Sequence, residues 1–329
     1  MKSSQPTLAV TQPIPGENSL RHLEGLRPLL FALGALALCF SKPLYDLIRF
    51  CAKSDLYSHI LLIPFISLYL IWIKRSEYRR SRRGEQADPG SKTLVPWSLR
   101  TRTAIAPFLL GLAAIAAYWI SIRSGWQPRT ADYLALTVFA FVAFTIATCM
   151  LFLSRKALRT MRFALCFLIF MVPFPTILQS AIAYFLQKFS ADAAYAMFNL
   201  AGTPLLRNGF EFRLPGMTIE VAPECSGIHS TLVLFIVSLL AGHLFLRQPW
   251  KRAALTLFVI PLAILRNGFR IFTIGELCVY VSPDMINSPI HHRGGPIFFA
   301  LSLIPFFLLL LLLKRGERAR HSPENPTQP

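Results

Sequence analysis

Apolar runs approaching the roughly 20 residues that cross a hydrocarbon core recur along this chain. The clearest lie at 59–73, 104–122, 133–153, 228–246, 254–274 and 296–313. Hydrophobic residues make up 54% of the 329, and the mean hydropathy is +0.49, which excludes an ordinary soluble domain. The expected fold is an all-α polytopic membrane protein of about eight transmembrane helices, with an amphipathic helix and a small hairpin before the sixth.

The formal net charge of +18 would point to nucleic acid in a soluble chain. Here Lys and Arg cluster in short segments between apolar runs, the pattern that sets membrane orientation. No nucleic-acid partner is expected. Six Cys are present without CxxC or Cys/His metal spacing, so neither a disulfide framework nor a metal site is indicated. No Walker, HExxH, GxSxG or EF-hand pattern occurs, and no cofactor is expected. The first 20 or so residues are polar and contain Pro, unlike a cleavable signal peptide.

In chain order, 1–26 reads as a flexible cytoplasmic tail and 27–314 as a single transmembrane domain. The first span is 28–40, continuing toward Pro43, and 45–58 is expected to be a polar or amphipathic loop. The second span, 59–73, carries a kink at Pro64. The most basic loop follows, Lys74 to Arg83, and 84–100 reads as a cytoplasmic linker. Spans three and four are 104–122 and 133–153, and a fifth, 163–171, stops at Pro173 and Pro175. An extracytoplasmic insert, 176–224, combines an amphipathic helix with a hairpin over 205–221. Spans six to eight are 228–246, 254–274 and 296–313, and 315–329 is a second cytoplasmic tail. With the N-terminus inside, every strongly basic loop falls on one side of the membrane.

This topology brings a thiol, cations and imidazoles to the outer leaflet. Cys225 opens the sixth span, in Pro223-Glu224-Cys225-Ser226-Gly227. A helix N-terminus there favours a thiolate, and Glu224 suits the same dipole as a cap. Arg266 and Arg270 lie four apart, on one helix face near the outer end of the seventh span. A charge in such a helix is costly unless paired or wet, which makes both functional candidates. His291 and His292 precede the eighth span. A thiolate can attack a carbonyl, a His can take and return the proton, and an Arg can stabilise the oxyanion.

These residues carry a resemblance to the exosortase/archaeosortase family of membrane transpeptidases. Cys225-Ser226-Gly227 resembles the family's CSG, Asn267-Gly268-Phe269-Arg270 its N-x-x-R, and His291 through Gly295 its H-x-x-x-G. Tyr57-Ser58-His59-Ile60 resembles its YSHG segment, with Ile60 in place of the usual Gly. The resemblance covers about 28–313. It implies cleavage of C-terminal sorting signals (motif, membrane helix, basic tail) on membrane-anchored precursor proteins, with transfer to a second nucleophile such as a lipid or glycan. It makes Cys225 the nucleophile, Arg270 the cation and His291 the base. Asn267 belongs to the matched motif, and Arg266 and His292 compete with their neighbours for these roles. His229, where many members carry Arg, is an alternative base, since it lies four residues after Cys225. His59 reads as a helix-end residue. The implied location is the cell inner membrane, with the site on the extracytoplasmic side. Two readings without thiol chemistry stand beside this one: a transporter with the arginines lining a path, and a scaffold for polysaccharide export.

Overall fold

The computed structural model describes residues 27–87, 97–125, 128–282, 284–285 and 294–318. It is all-helical apart from one small sheet. Among these residues six helices are long and apolar enough to cross a membrane, and up to eight spans result if each of two bent pairs counts as one. The chain divides into two compact units, 1–175 and 176–329. Both tails, apart from residues 315–318, lie outside the described residues.

The first unit opens with α1 (Arg27–Cys39) and α2 (Ser41–Lys53), bent by 68° at the break between them. A 3-10 segment, Asp55–Leu62, leads into α3 (Ile63–Ala87). The loop expected over 45–58 is therefore helical almost throughout. Its polar residues serve one face of α2, while Leu47 and Cys51 are buried on the opposite face, and periodicity of that kind makes a helix. In the 3-10 segment Tyr57 and Ile60 are buried, and the Tyr57 hydroxyl donates to the Phe174 carbonyl at 3.3 Å. Helix α4 (Trp97–Arg123) and α5 (Thr130–Phe152) pack together through ring pairs such as Phe108–Phe144 and Tyr118–Tyr133. The expected linker over 84–100 contains the end of α3 and the start of α4, and 88–96 lie outside the described residues. Helix α6 (Arg155–Phe167) begins at Ser154, whose hydroxyl caps the Ala157 N–H, and a 3-10 turn carries it to Met171.

The second unit begins with α7 (Thr176–Ala201), the helix expected before the hairpin. Three antiparallel strands follow, β1 (Leu206–Asn208), β2 (Glu211–Leu214) and β3 (Met217–Glu220), so the hairpin gains a third strand. The β2–β3 link is Pro215-Gly216, with Gly216 at φ +82°, where a Cβ would be strained. Phe212, Leu214, Ile219 and Val221 point inward. They form one core with Ala191, Ala194 and Phe198 of α7, against which Ile271 and Phe272 pack.

Helices α8 (Ile228–Phe245), α9 (Pro249–Tyr280) and α10 (Gly295–Arg318) complete this unit. Leu234, Leu255, Val259 and Phe306 centre their shared core. Glu317 of α10 accepts from the backbone N–H groups of Arg247 and Gln248, between 2.9 and 3.1 Å. That carboxylate meets the start of α9, where the helix dipole favours negative charge. Lys251 donates to the Leu313 carbonyl at 2.8 Å, so the α8–α9 turn is fastened twice to α10.

Candidate functional site

Helix α9 crosses α7 at very close range because Gly268 lacks a side chain. A Cβ built there would lie 2.8 Å from the Ala193 methyl carbon and 3.1 Å from the Ser190 carbonyl oxygen. Gly275, two turns on, similarly abuts the Phe198 ring. Small residues at such crossings let backbones approach in a membrane, where burial against lipid adds little drive. The close crossing also settles the rotation of α9. It buries Arg266 and Asn267 on the side that meets the start of α8.

The segment before α8 is fixed from the other direction. Val221 donates its N–H to Phe210 at 3.0 Å, and its carbonyl accepts from the Gln187 side chain of α7 at 2.6 Å. Asp192 of α7 pairs with Arg207 of β1 at 2.7 Å. The meander is thus anchored to α7, and its last strand delivers the chain into a 3-10 turn, Pro223–Ser226. The backbones of Glu224 and Cys225 lie in this turn. Gly227 follows at φ +73° and serves as N-cap of α8. A residue with a Cβ pays for that left-handed geometry, which accounts for Gly at this position.

The turn and α9 touch at Gly227. A Cβ on Gly227 would lie 3.2 Å from Arg266 Nη2 and 3.3 Å from the Asn267 carboxamide. Arg266 Nη2 is 3.5 Å from the Gly227 carbonyl oxygen and 3.4 Å from Thr231 Oγ1. The same carbonyl accepts from the Thr231 N–H at 3.0 Å, the Thr231 hydroxyl at 2.8 Å and the Ser230 hydroxyl at 3.1 Å. The first turn of α8 is therefore bound tightly to the Cys-Ser-Gly segment.

Two polar atoms beside this junction are buried without a hydrogen-bond partner among the described residues: Ser226 Oγ and Arg266 Nη1. Ser226 is 1% exposed and Arg266 9%. Unsatisfied buried donors cost free energy and are infrequent, and these two lie next to the Glu224 and Cys225 side chains, which are outside the described ones. Arg270 lies one turn beyond Arg266, partly exposed, and its like charge acts on Arg266.

The structure thus brings together the Cys225 turn, Arg266, Asn267 and the first turn of α8, which contains His229. Asn267 is almost fully buried and His229 partly so. His291 and His292 lie outside the described residues; Gly294 and Gly295 resume the chain at the start of α10. His59, in the first unit, is half-buried. Two participants escaped sequence reading. Gln187 reads as one polar residue of an amphipathic helix, yet it is 6% exposed and holds the strand before the turn. Thr231 reads as part of an apolar span. Its position four residues after Gly227, at the start of that span, is the signal that a hydroxyl there can close onto the turn. Among the described residues no His/Cys/Asp/Glu cluster of metal-binding geometry occurs.

Fold and site define a polytopic, all-helical membrane protein in which a Cys-Ser-Gly turn sits on a basic, glycine-bearing helix. The profile of the transmembrane exosortase family matches residues 51–308, and the chain belongs to that family. The matched span contains both elements of the junction and the His291–Gly295 segment. No curated protein and no solved structure matches the chain.

Proposed function

We propose that this exosortase family member is a cysteine transpeptidase or protease acting on C-terminal sorting signals. Its substrates are membrane-anchored precursors ending in a short motif, a membrane helix and a basic tail. Cys225, as thiolate, attacks the scissile carbonyl. His291 receives the thiol proton and passes it to the departing amine, leaving a thioacyl enzyme. A second nucleophile, a lipid or glycan acceptor in transfer or water in hydrolysis, then attacks that acyl group and restores the thiol. Arg270 stabilises the oxyanion formed in both steps.

The observation that carries this reading is the contact of Gly227 with Arg266 and Asn267. It joins the segment containing the nucleophile to the helix containing the cations, inside a chain matched to the family over 51–308. Ser226 Oγ and Arg266 Nη1, buried with no hydrogen-bond partner among the described residues, are in keeping with it. Within the proposal the site faces the extracytoplasmic side of the inner membrane, and the substrate's basic tail stays in the cytoplasm. That orientation follows from the basic segments at 74–83, 155–162, 247–252 and 314–320 sharing one side.

The test is co-expression with a reporter bearing such a C-terminal signal. Cys225→Ala and Cys225→Ser are expected to leave the reporter unprocessed while the protein remains in the membrane at wild-type level. Processing by Cys225→Ala would remove the thiol from the mechanism.

A further inference from the structure

A second site lies in the first unit. A cavity of about 850 Å³ is bounded by one face of α2, the last two turns of α4 and the first turn of α5. That volume falls in the range of small-molecule sites, about 300–1,000 Å³. From α2 it is lined by Lys42, Asp46, Arg49 and Lys53. Their spacing of four, three and four puts them on one helical face. Three cations against one carboxylate leave that wall at a net +2. Across the cavity stand Tyr118 of α4 and Tyr133 of α5, and the Tyr133 hydroxyl is 3.5 Å from Asp46 Oδ2. Lys42, Arg49 and Lys53 make no ion pair among the described residues. The one acidic residue of the wall is thus engaged by a tyrosine.

The depth of the cavity follows from the helices that bound it. Thr101–Arg123 and Thr130–Phe152 are both long and apolar enough to span, and the lining residues come from the ends where the two meet. The cavity therefore sits at a membrane–water boundary. Beside the cationic face, α2 exposes Tyr45 and Ile48, at 59% and 54%. A helix with one buried stripe, one exposed apolar stripe and one cationic stripe is built for the headgroup region. The apolar stripe meets acyl chains and the cations meet phosphate. A positively charged wall repels a basic peptide, so the basic tail of a sorting signal does not suit it.

We propose that this cavity binds the phosphate headgroup of an anionic membrane lipid. Arg49 offers paired N–H donors to phosphate oxygens, and Lys42 and Lys53 act as point charges on either side. The proposal does not depend on thiol chemistry.

The experiment uses full-length protein in a neutral detergent. It is titrated separately with dioctanoyl phosphatidylglycerol, dioctanoyl phosphatidylcholine and sodium phosphate, with binding read by native mass spectrometry and by the thermal midpoint. Phosphatidylglycerol is expected to bind about fivefold or more tighter than phosphatidylcholine, and each cation removed by Lys42→Gln, Arg49→Gln or Lys53→Gln to cost about fivefold. Asp46→Asn, which removes the opposing charge and keeps an acceptor for Tyr133, is expected to strengthen phosphatidylglycerol binding severalfold. These opposite directions separate a lipid site from a loss of fold. Equal binding of the two lipids, or unchanged phosphatidylglycerol binding in all four variants, overturns the proposal. A midpoint shift from sodium phosphate alone equal to that from phosphatidylglycerol overturns it too, by making the cavity a site for free anions.

Discussion

Gln187 and Val221, 34 residues apart, are joined by a hydrogen bond of 2.6 Å from the side-chain amide to the backbone carbonyl. Both are buried, at 6% and 2% exposure. Val221 is two residues before the Pro223–Ser226 turn, so α7 sets the position from which the Cys225 segment departs. Gln187→Leu keeps approximate volume and removes the donor. It is expected to cost about 1–3 kcal/mol through the unsatisfied Val221 carbonyl. Thermal unfolding of the purified protein measures that loss, and reporter processing is expected to fall with it.

Gly227→Ala tests the junction itself. The substitution imposes about 1–2 kcal/mol of left-handed strain and pushes a methyl against Arg266 and Asn267 at 3.2–3.3 Å. Processing is expected to fall at least tenfold, more than the change in thermal midpoint accounts for, because the displaced groups adjoin the proposed nucleophile segment. A variant with wild-type processing would show that this close approach is dispensable.

The two arginines are expected to separate by readout. Arg270 is partly exposed and Arg266 is buried against the Gly227 carbonyl and Thr231. Arg270→Gln should abolish reporter processing with little effect on the thermal midpoint. Arg266→Lys should lower both, since a lysine ends one bond short of the Nη2 that meets both the Gly227 carbonyl and Thr231. If Arg270→Gln still processes and Arg266→Lys does not, the oxyanion role passes to Arg266.

Glu317 fastens the α8–α9 turn to α10 by accepting from two backbone N–H groups. Glu317→Gln retains one good acceptor and loses the negative charge at the start of α9. The expected cost is about 1 kcal/mol, read as a lower thermal midpoint, with Glu317→Ala costing more. Processing per folded molecule should be unchanged in both, since the clamp lies at the opposite end of α8 from Gly227.

The apolar runs fix the spans by themselves, because a backbone in lipid must bond within its own segment and a helix of about 20 residues does so. Hence 104–122, 133–153 and 228–246 agree to within three residues with the spanning parts of α4, α5 and α8, 101–123, 130–152 and 228–245, and 296–313 falls inside that of α10, 295–317. The Cys225 motif was legible as lying at a helix start, whereas Asn267 and the two arginines, expected near the outer end of the seventh span, lie in the interior of α9, which continues to Tyr280. The stretch 45–58 was misread because its polar residues look like a loop until the buried Leu47 and Cys51 show the stripe that makes it helix. Which residues of α9 meet the Cys225 turn was not legible at all. Arg266, Asn267 and Arg270 share one helix, and their facing depends on the rotation set where Gly268 and Gly275 press against α7. Sequence thus determines which segments cross the membrane, since that is a local matter of length and hydrogen bonding. Only the tertiary structure decides that Gly227 rests on Arg266 and that Gln187 holds Val221, because those contacts join residues 39 and 34 positions apart through helix packing, which no local pattern encodes.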